Sequence, residues 1–288
     1  MFEIVSKEVL GPAVFRLRIL APDVARKHQA GNFIMLRIHE NGERIPLTVA
    51  DKDVAAGTVT LVFQAMGKTT TELGAMNAGD KILDFVGPLG KPTHVEKFPG
   101  IVICVGGGIG VAPVHPIACA LKEAGNRVVS IMGARAKELL IMEEDMRRAS
   151  HELLVATDDG SYGHHGFVTD VLKGVIDREG KENVSMVVAI GPVPMMRACC
   201  KVTLAYPVHT VVSLNPIMVD ATGMCGACRV NVGGKTKFAC VDGPEFDGHQ
   251  VDFDLLTKRL RMYLSDERRA MQIFAEHQQE GHKRCWTP

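Results

Sequence analysis

The stretch 101-IVICVGGGIGVAPVHPIACALKEAG-125 is the part of this 288-residue sequence that indicates the fold most directly. It begins with a continuous apolar run, which is typical of a parallel strand buried on both faces. A glycine-rich turn follows, and then a segment of helical spacing. Pro113 falls in the first turn of that helix, where its missing N–H costs nothing. Strand, glycine turn and helix in this order predict the first unit of an α/β domain.

The same alternation continues toward the C-terminus. Buried-strand patterns recur at 127-RVVSIMGAR-135, 152-ELLVATDDGS-161 and 185-SMVVAIGP-192, and amphipathic helical patterns lie between them. A βαβαβαβ order favours right-handed crossovers and one parallel sheet covered by helices. We therefore predict a doubly wound parallel-sheet domain over residues 99–205.

The sequence before this domain has a different character. Short apolar or alternating runs rich in β-branched and aromatic residues are separated by turn residues, which is typical of an antiparallel barrel. We predict such a barrel over residues 1–98. The runs are 15-FRLRIL-20, 32-NFIMLRI-38, 58-TVTLVFQAM-66 and 81-KILDFVGPLG-90.

After the α/β domain the chain becomes irregular and rich in glycine over residues 206–250, and we predict a small loop domain there. Residues 251–288 return to helical spacing and predict a helical tail of two short helices. Ser265, followed by two acidic residues, is the expected N-cap of the second helix. The apolar face of the tail has two interpretations. Either the tail packs on its own domain, or part of it docks a partner subunit.

Charge and composition exclude several classes of function. The chain has 33 basic and 33 acidic residues, so it lacks the positive charge with which proteins bind nucleic acid or anionic membranes. Its longest apolar run is too short and too rich in glycine to cross a membrane. The N-terminal stretch does not resemble a signal peptide. We therefore expect a cytoplasmic protein whose eight cysteines do not form a disulfide framework.

Three glycine-containing loops follow predicted parallel strands, and their residues are the candidate nucleotide ligands. Backbone amides at such loops and at helix N-termini bind pyrophosphate, and ligands of open sheets bind beyond the carboxyl ends of the strands. A tight turn without a ligand is the alternative for each loop alone. The acidic character of this region favours NAD(H) over NADP(H), although Arg135 is a counter-example. The candidates are Gly107, Gly108, Gly110, Ala112, Pro113, Asp158, Asp159, Gly160, Gly191, Pro192 and Met195.

Three cysteines lie close together in 219-VDATGMCGACRVNVGGKTKFAC-240. Plant-type [2Fe–2S] sites use the spacing C-x₄-C-x₂-C with a distant fourth cysteine. When Cys225, Cys228 and Cys240 are fitted to the last three positions, the first falls on Asp220. A zinc ion held by one aspartate and three cysteines, or unliganded thiols, are the alternatives. The small residues between the cysteines favour a [2Fe–2S] cluster. The other cysteines, including Cys285, are expected to pack as small apolar residues.

The segment 44-RIPLT-48 in the predicted barrel, followed by the loop 106-GGGIGVAP-113, resembles the ferredoxin–NADP reductase superfamily. The flavin domain of that superfamily is a six-stranded barrel. The resemblance implies that Arg44 contacts the pyrophosphate of FAD and that Thr48 lies near the isoalloxazine, with Pro46 and Leu47 between them. A second family segment matches 67-GKTTTEL-73. It implies that the FAD phosphates are held by Gly67, Lys68, Thr69 and Thr70.

The order of flavin barrel, NAD domain and [2Fe–2S] loop resembles the electron-transfer subunits of NAD-linked dihydroorotate dehydrogenases. It resembles still more closely the small subunits of NADH-dependent reduced ferredoxin:NADP⁺ oxidoreductases, because of Asp220 and the helical tail. The resemblance implies FAD, a [2Fe–2S] cluster and NAD(H) as cofactors. It also implies a larger partner subunit with a second flavin, [4Fe–4S] clusters and the NADP(H) site, through which ferredoxin is reached.

The implied activity is electron transfer within a flavin-based electron-bifurcating oxidoreductase, in which this chain moves electrons between NAD(H), FAD and the cluster. No side chain is expected to act as a general acid or base, since hydride and electron transfer depend on positioning and on the cofactors. Two alternatives remain: the electron-transfer subunit of an NAD-dependent dihydroorotate dehydrogenase, and a non-catalytic module that senses NAD or redox state.

Overall fold

A computed structural model describes the backbone of residues 1–284 and the side chains through residue 276. Its first part is an antiparallel barrel with strand order β6-β1-β2-β5-β4-β3-β7. The strands are β1 (Phe2–Gly11), β2 (Val14–Leu20), β3 (Phe33–Arg37), β4 (Ile45–Asp53), β5 (Thr58–Gln64), β6 (Lys81–Ile82) and β7 (Asp84–Leu89). The helices in this part are α1 (Pro22–Lys27) and α2 (Lys68–Ala75).

The barrel closes through its interrupted last strand. β6 pairs with β1, whereas β7, which begins after only Leu83, pairs with β3. The two segments therefore act as one strand that joins both ends of the sheet, as in a six-stranded barrel. Alternation determines which side chains enter the core: in β2, Leu17 and Ile19 are fully buried while Arg18 is exposed.

The second part is the predicted α/β domain. Its parallel strands have the order β11-β10-β9-β8-β12-β13, and helices pack against the sheet. The strands are β8 (Ile101–Gly107), β9 (Val128–Ala134), β10 (Glu152–Thr157), β11 (His164–His165), β12 (Val184–Ile190) and β13 (Thr210–Ser213). The helices are α3 (Val111–Glu123), α4 (Glu143–Ala149), α5 (Val168–Glu179) and α6 (Val193–Ala205).

The glycine-rich region contributes to two sheets. A hairpin of β14 (Arg229–Val232) and β15 (Lys235–Phe238) precedes the short helix α7 (Ala239–Asp242). A further strand, β16 (Glu245–Asp247), returns to pair antiparallel with β13. Residues 206–250 therefore extend the sheet of the α/β domain in addition to forming the cysteine-containing loop.

The tail consists of two helices, α8 (Phe253–Leu260) and α9 (Leu264–Arg284), as the helical spacing predicts, but α9 is not the short helix expected, since it has 21 residues. α8 buries Phe253 and Leu256 in the core of the α/β domain, whereas α9 contacts α2 of the barrel and leaves most of its described residues exposed. The predicted N-cap is wrong by a short margin: α9 begins at Leu264, so Ser265 lies within the first turn. Among residues 1–284, no helix is long and apolar enough to span a bilayer.

Candidate functional site

The first motif of the barrel lies on and just before β4. Arg44 is exposed immediately before the strand, and the four following motif residues are half-buried within it. Thr48 pairs with Phe33 of β3, and Pro46 pairs with Met35. β3 is therefore the direct neighbour of the segment whose resemblance implies a flavin.

The second barrel motif forms the N-terminus of α2. The Thr70 hydroxyl oxygen accepts hydrogen bonds from the backbone N–H groups of Met66 and Gly67, each at 3.0 Å, which caps the helix. Thr69 is buried, and its hydroxyl donates to Glu43 Oε2 at 2.7 Å. Glu43 immediately precedes Arg44, so this contact brings the two predicted flavin segments together. No atom outside its chain neighbours lies within 4 Å of a Cβ built on Gly67, so there is open space beside this end of α2.

The glycine loop after β8 lies against the loop after β12, as neighbouring parallel strands require. A Cβ on Gly110 would lie 2.7 Å from the Cα of Gly191 and closer still to the carbonyl oxygen of Ile190. A Cβ on Gly107 would overlap the sulfur of Met195, which also lies against Gly191. The structure therefore brings these predicted residues together at the carboxyl edge of the sheet. Ala112 and Pro113 lie in the first turn of α3.

The predicted acidic loop lies farther along the same edge. It follows β10, which is separated from β8 by β9, so the two loops are about 10 Å apart at ordinary strand spacing. Asp159 Oδ1 accepts hydrogen bonds from the backbone N–H and the hydroxyl of Ser161, and these bonds lower the pKa of Asp159. Gly160 adopts a φ of 74° in the turn. The loop therefore borders the glycine site and presents an ionised carboxylate.

Two of the predicted cluster ligands meet in the structure. The sulfur atoms of Cys228 and Cys240 lie 3.2 Å apart, and both residues are buried. Burial and this contact raise the pKa of Cys240 to about 11. Cys225 is exposed, and the Asp220 carboxylate accepts a hydrogen bond from the Thr222 hydroxyl at 2.5 Å. Within the described residues, no three His, Cys, Asp or Glu side chains converge in a metal-binding arrangement.

The loop nevertheless fits a [2Fe–2S] cluster. Three of its residues have left-handed backbone conformations, with φ of 61° at Ala221, 82° at Gly223 and 66° at Gly226, and such sequences form anion-binding concavities of N–H groups. The backbone N–H of Gly223 acts to lower the pKa of the Cys240 thiol, against the effect of burial. Nε of Arg259, which contacts the loop, is buried without a partner among the described residues. Three thiols and one carboxylate are donors that iron accepts.

The cysteine loop packs on the barrel rather than projecting into solvent. Cys228 and Cys240 share an apolar cluster with Phe33 and Met35 of β3. Phe33 and Met35 pair with Thr48 and Pro46 of β4. The cysteine loop is therefore separated from the flavin motif by β3 alone.

Several contacts between the barrel and the rest of the chain involve residues that were not predicted from the sequence. Thr93 donates a hydrogen bond to Glu245 at 2.6 Å across 152 positions of sequence, and Nδ1 of His115 on α3 lies 3.0 Å from the carbonyl oxygen of Ala50 on β4. Burial raises the pKa of Glu245 to about 7, while the Thr93 hydroxyl acts in the opposite direction. No local pattern could have revealed these contacts, because each joins different domains.

The remaining cysteines mostly pack as predicted. Cys104, Cys199 and Cys200 are buried in the two apolar cores of the α/β domain. Cys119 is only half-buried, and its sulfur lies 3.6 Å from Nε2 of His115. Cys285 lies outside the described residues.

Two protein families match this chain. Residues 104–201 match the oxidoreductase NAD-binding domain, and residues 215–252 match the iron–sulfur cluster binding domain of dihydroorotate dehydrogenase B. These ranges contain the glycine loops and the cysteine loop described above. These matches confirm NAD(H) and a [2Fe–2S] cluster among the predicted cofactors.

Three similar proteins extend over most of the chain. A homologue of the electron-transfer subunit of dihydroorotate dehydrogenase B (NAD⁺) from Thermotoga maritima is 49% identical over 272 residues, covering 94% of this chain and 95% of the relative. The electron-transfer subunit from Geobacillus thermodenitrificans is 33% identical over 256 residues, covering 86% and 96%. A chain in the structure of an NADH-dependent reduced ferredoxin-NADP oxidoreductase, solved to explain flavin-based electron bifurcation, is 47% identical with a TM-score of 0.90. That match covers 96% of this chain and 98% of the other.

Proposed function

Since this chain belongs to the family of dihydroorotate dehydrogenase B electron-transfer subunits and their homologues, we propose that it is the electron-transfer subunit of an electron-bifurcating NADH-dependent ferredoxin:NADP⁺ oxidoreductase. The predicted enzyme class, an oxidoreductase with FAD, NAD(H) and [2Fe–2S] cofactors, is confirmed by these matches. The packing of the cysteine loop on β3, beside the flavin motif, is the observation that supports electron transfer between flavin and cluster, and the similarity to a chain of the electron-bifurcating enzyme supports the specific activity. Electrons need short distances between cofactors, and this packing provides one.

For FAD, we assign the barrel segments that Thr69 and Glu43 connect. The exposed Arg44 pairs its charge with the pyrophosphate, and the N-terminus of α2 presents its partial positive charge and the side chain of Lys68 to the same group. Thr69 and Thr70 hold the shape of that helix end. Pro46, Leu47 and Thr48 form the half-buried surface for the flavin ring. The bound flavin supplies the conversion between two-electron and one-electron chemistry.

For NAD(H), we assign the carboxyl edge of the second sheet. Gly107, Gly108 and Gly110 let the backbone approach the pyrophosphate, which the N-terminus of α3 attracts. Gly191, Pro192 and Met195 form the opposite wall of the cleft. Asp158, Asp159 and Gly160 border it. The negative charge of the two aspartates disfavours a 2′-phosphate, which supports NAD(H) over NADP(H).

For the [2Fe–2S] cluster, we assign Asp220, Cys225, Cys228 and Cys240 as ligands. The chain then has four domains: a flavin barrel (1–98), an NAD domain (99–205), a cluster domain (206–250) and a helical tail (251–288). The parallel pairing of β13 with β12 of the NAD domain supports close coupling between the second and third of these.

The partner that we propose is a larger cytoplasmic subunit with a second flavin, [4Fe–4S] clusters and the NADP(H) site, through which electrons reach ferredoxin. The described relatives are components of electron-transfer enzymes, which is consistent with such a subunit. Docking of the tail on this partner can be tested by deletion and co-purification. Deletion of 253–288 would also remove the core residues Phe253 and Leu256, so deletion of 264–288 is the sharper test. Leu264 and Ile273, which this deletion removes, expose apolar surface on α9.

The decisive experiment is purification of the chain with its native partner. Flavin and [2Fe–2S] absorption, both bleached by NADH, together with a co-purifying [4Fe–4S] flavoprotein, are the expected results. Co-purification of a dihydroorotate-oxidising subunit would establish the alternative enzyme. A purified protein that binds NADH but shows no cofactor reduction would favour a sensing module and contradict the proposal.

A further inference from the structure

Two arginines contact the backbone between the first two predicted cysteine ligands. Nη1 of Arg229 donates to the carbonyl oxygen of Gly226 at 2.7 Å, and Nη2 of Arg259 donates to the carbonyl oxygen of Ala227 at 2.9 Å. Gly226 and Ala227 are the only residues between Cys225 and Cys228. Both carbonyls of this turn are therefore held by guanidinium groups.

These contacts determine which way the N–H groups of the turn point. In a trans peptide the N–H lies opposite the preceding carbonyl. An arginine on the Gly226 carbonyl therefore directs the Ala227 N–H to the other side, and an arginine on the Ala227 carbonyl does the same for the Cys228 N–H. Aligned N–H groups of this kind stabilise the negative charge of sulfides and thiolates.

The two arginines come from different places. Arg229 follows Cys228 directly and is exposed, so solvent screens much of its charge. Arg259 comes from α8 and is half-buried, with its Nε enclosed and without a partner among the described residues. Its charge therefore acts through a less polar medium and has the larger effect.

α8 holds Arg259 rigidly. Phe253 and Leu256 anchor the helix in the core of the α/β domain, and Asp254 forms a 2.6 Å ion pair with Arg197 of α6. The first turn of α6 contains Met195, which lines the predicted NAD site. The helix that presents Arg259 to the cysteine loop is thus anchored to the helix that lines the nucleotide cleft.

We propose that Arg259, supported by Arg229, is a positioning residue that orients the amides of the Cys225–Cys228 turn and raises the reduction potential of the [2Fe–2S] cluster. The proposal rests on the proposed function, because it requires that the cluster bind here. A fixed positive charge favours the reduced, more negative cluster, and loss of either the charge or the oriented amides lowers the potential.

The test is an EPR-monitored redox titration of the holoprotein with three variants. R259Q removes the charge and the fork of donors, R259K keeps the charge alone, and R261Q removes an exposed charge just beyond the same helix. We expect the cluster potential to fall in R259Q, to fall less in R259K and to stay unchanged in R261Q. The EPR g-values should change in R259Q, while FAD content and flavin spectrum stay as in the wild type.

One result would overturn this inference, and a different one would refute the proposed function. Wild-type potential and g-values in R259Q and R259K, at full iron content, would overturn the inference. Loss of the cluster from R259Q with FAD retained, and its retention in R259K, would support the positioning role. Absence of a [2Fe–2S] signal from the wild type itself would refute the proposed function rather than the role of Arg259.

Discussion

Cys228 and Cys240 bring their sulfur atoms within 3.2 Å of each other because a β-hairpin lies between them. Arg229 pairs with Phe238 at the base of that hairpin, so the residues that flank the two strands become neighbours. The spacing of eleven residues between these cysteines is thus the length of one hairpin with its closing residues.

Replacing Cys240 with serine is expected to abolish the cluster and leave the flavin bound. The thiolate ligand is lost, whereas the barrel has a separate apolar core. The iron-to-flavin ratio and the EPR signal of the purified variant measure this. Cys119→Ser, on α3 away from the cysteine loop, is the matched control and should keep the wild-type ratio. A C240S variant with full iron content would show that Cys240 is not a ligand.

Replacing Asp220 with cysteine is expected to keep the cluster and change its potential. A carboxylate is a harder ligand than a thiolate and makes the coordination sensitive to pH, so the cysteine variant should lose part of that sensitivity. Redox titrations of the wild type and D220C at several pH values provide the comparison. An identical potential and EPR signal in both proteins would mean that Asp220 does not bind iron.

Replacing Gly110 with alanine is expected to weaken NADH binding by about tenfold or more, equivalent to about 1.4 kcal/mol. The added Cβ would overlap the Ile190 carbonyl and lie 2.7 Å from the Cα of Gly191, forcing the two loops apart. The rate of flavin reduction against NADH concentration gives the affinity. Gly174→Ala in the exposed middle of α5, where a Cβ meets nothing within 4 Å, should leave binding unchanged and stabilise the protein by about 0.5–1 kcal/mol.

Replacing Glu245 with glutamine is expected to stabilise the protein progressively as pH rises. The carboxyl group is enclosed against Thr93 and Gly31, and burial raises its pKa from an ordinary 4.5 to about 7. Between these values the folded state holds a proton that the unfolded state has lost, so the contribution of Glu245 to stability falls as pH rises from about 4.5 to about 7. Above that pH range the contribution of Glu245 to stability is lost completely and no longer changes with pH.

Urea unfolding of E245Q and wild type at the same pH isolates this effect. His28, whose pKa burial lowers to about 4, contributes with the opposite sign, but it is present in both proteins. The difference in the free energy of unfolding should grow between pH 5 and pH 7.5. Glu40→Gln, at an exposed position, is the control and should show no such trend. A constant difference for E245Q would mean that Glu245 is ionised throughout.

Local patterns were sufficient to predict much of this fold. The continuous apolar run of β8 identifies a strand buried on both faces, and the alternation in β2 identifies a barrel strand, because each depends on neighbours in sequence. The tail helices were also predictable, but the start of α9 was not located correctly. Ser265 has a side chain that is typical of an N-cap, yet α9 already begins at Leu264.

The sequence by itself determined the chemistry: the glycine spacing after β8, the flavin motif before and within β4, and the set of one aspartate and three cysteines. Only the tertiary structure decided which of these meet. It joined Thr69 to Glu43, packed the cysteine loop on β3, and brought Arg259 to the Ala227 carbonyl. The physical reason is that periodicity and spacing encode contacts within an element, whereas contacts between distant elements depend on how whole faces pack.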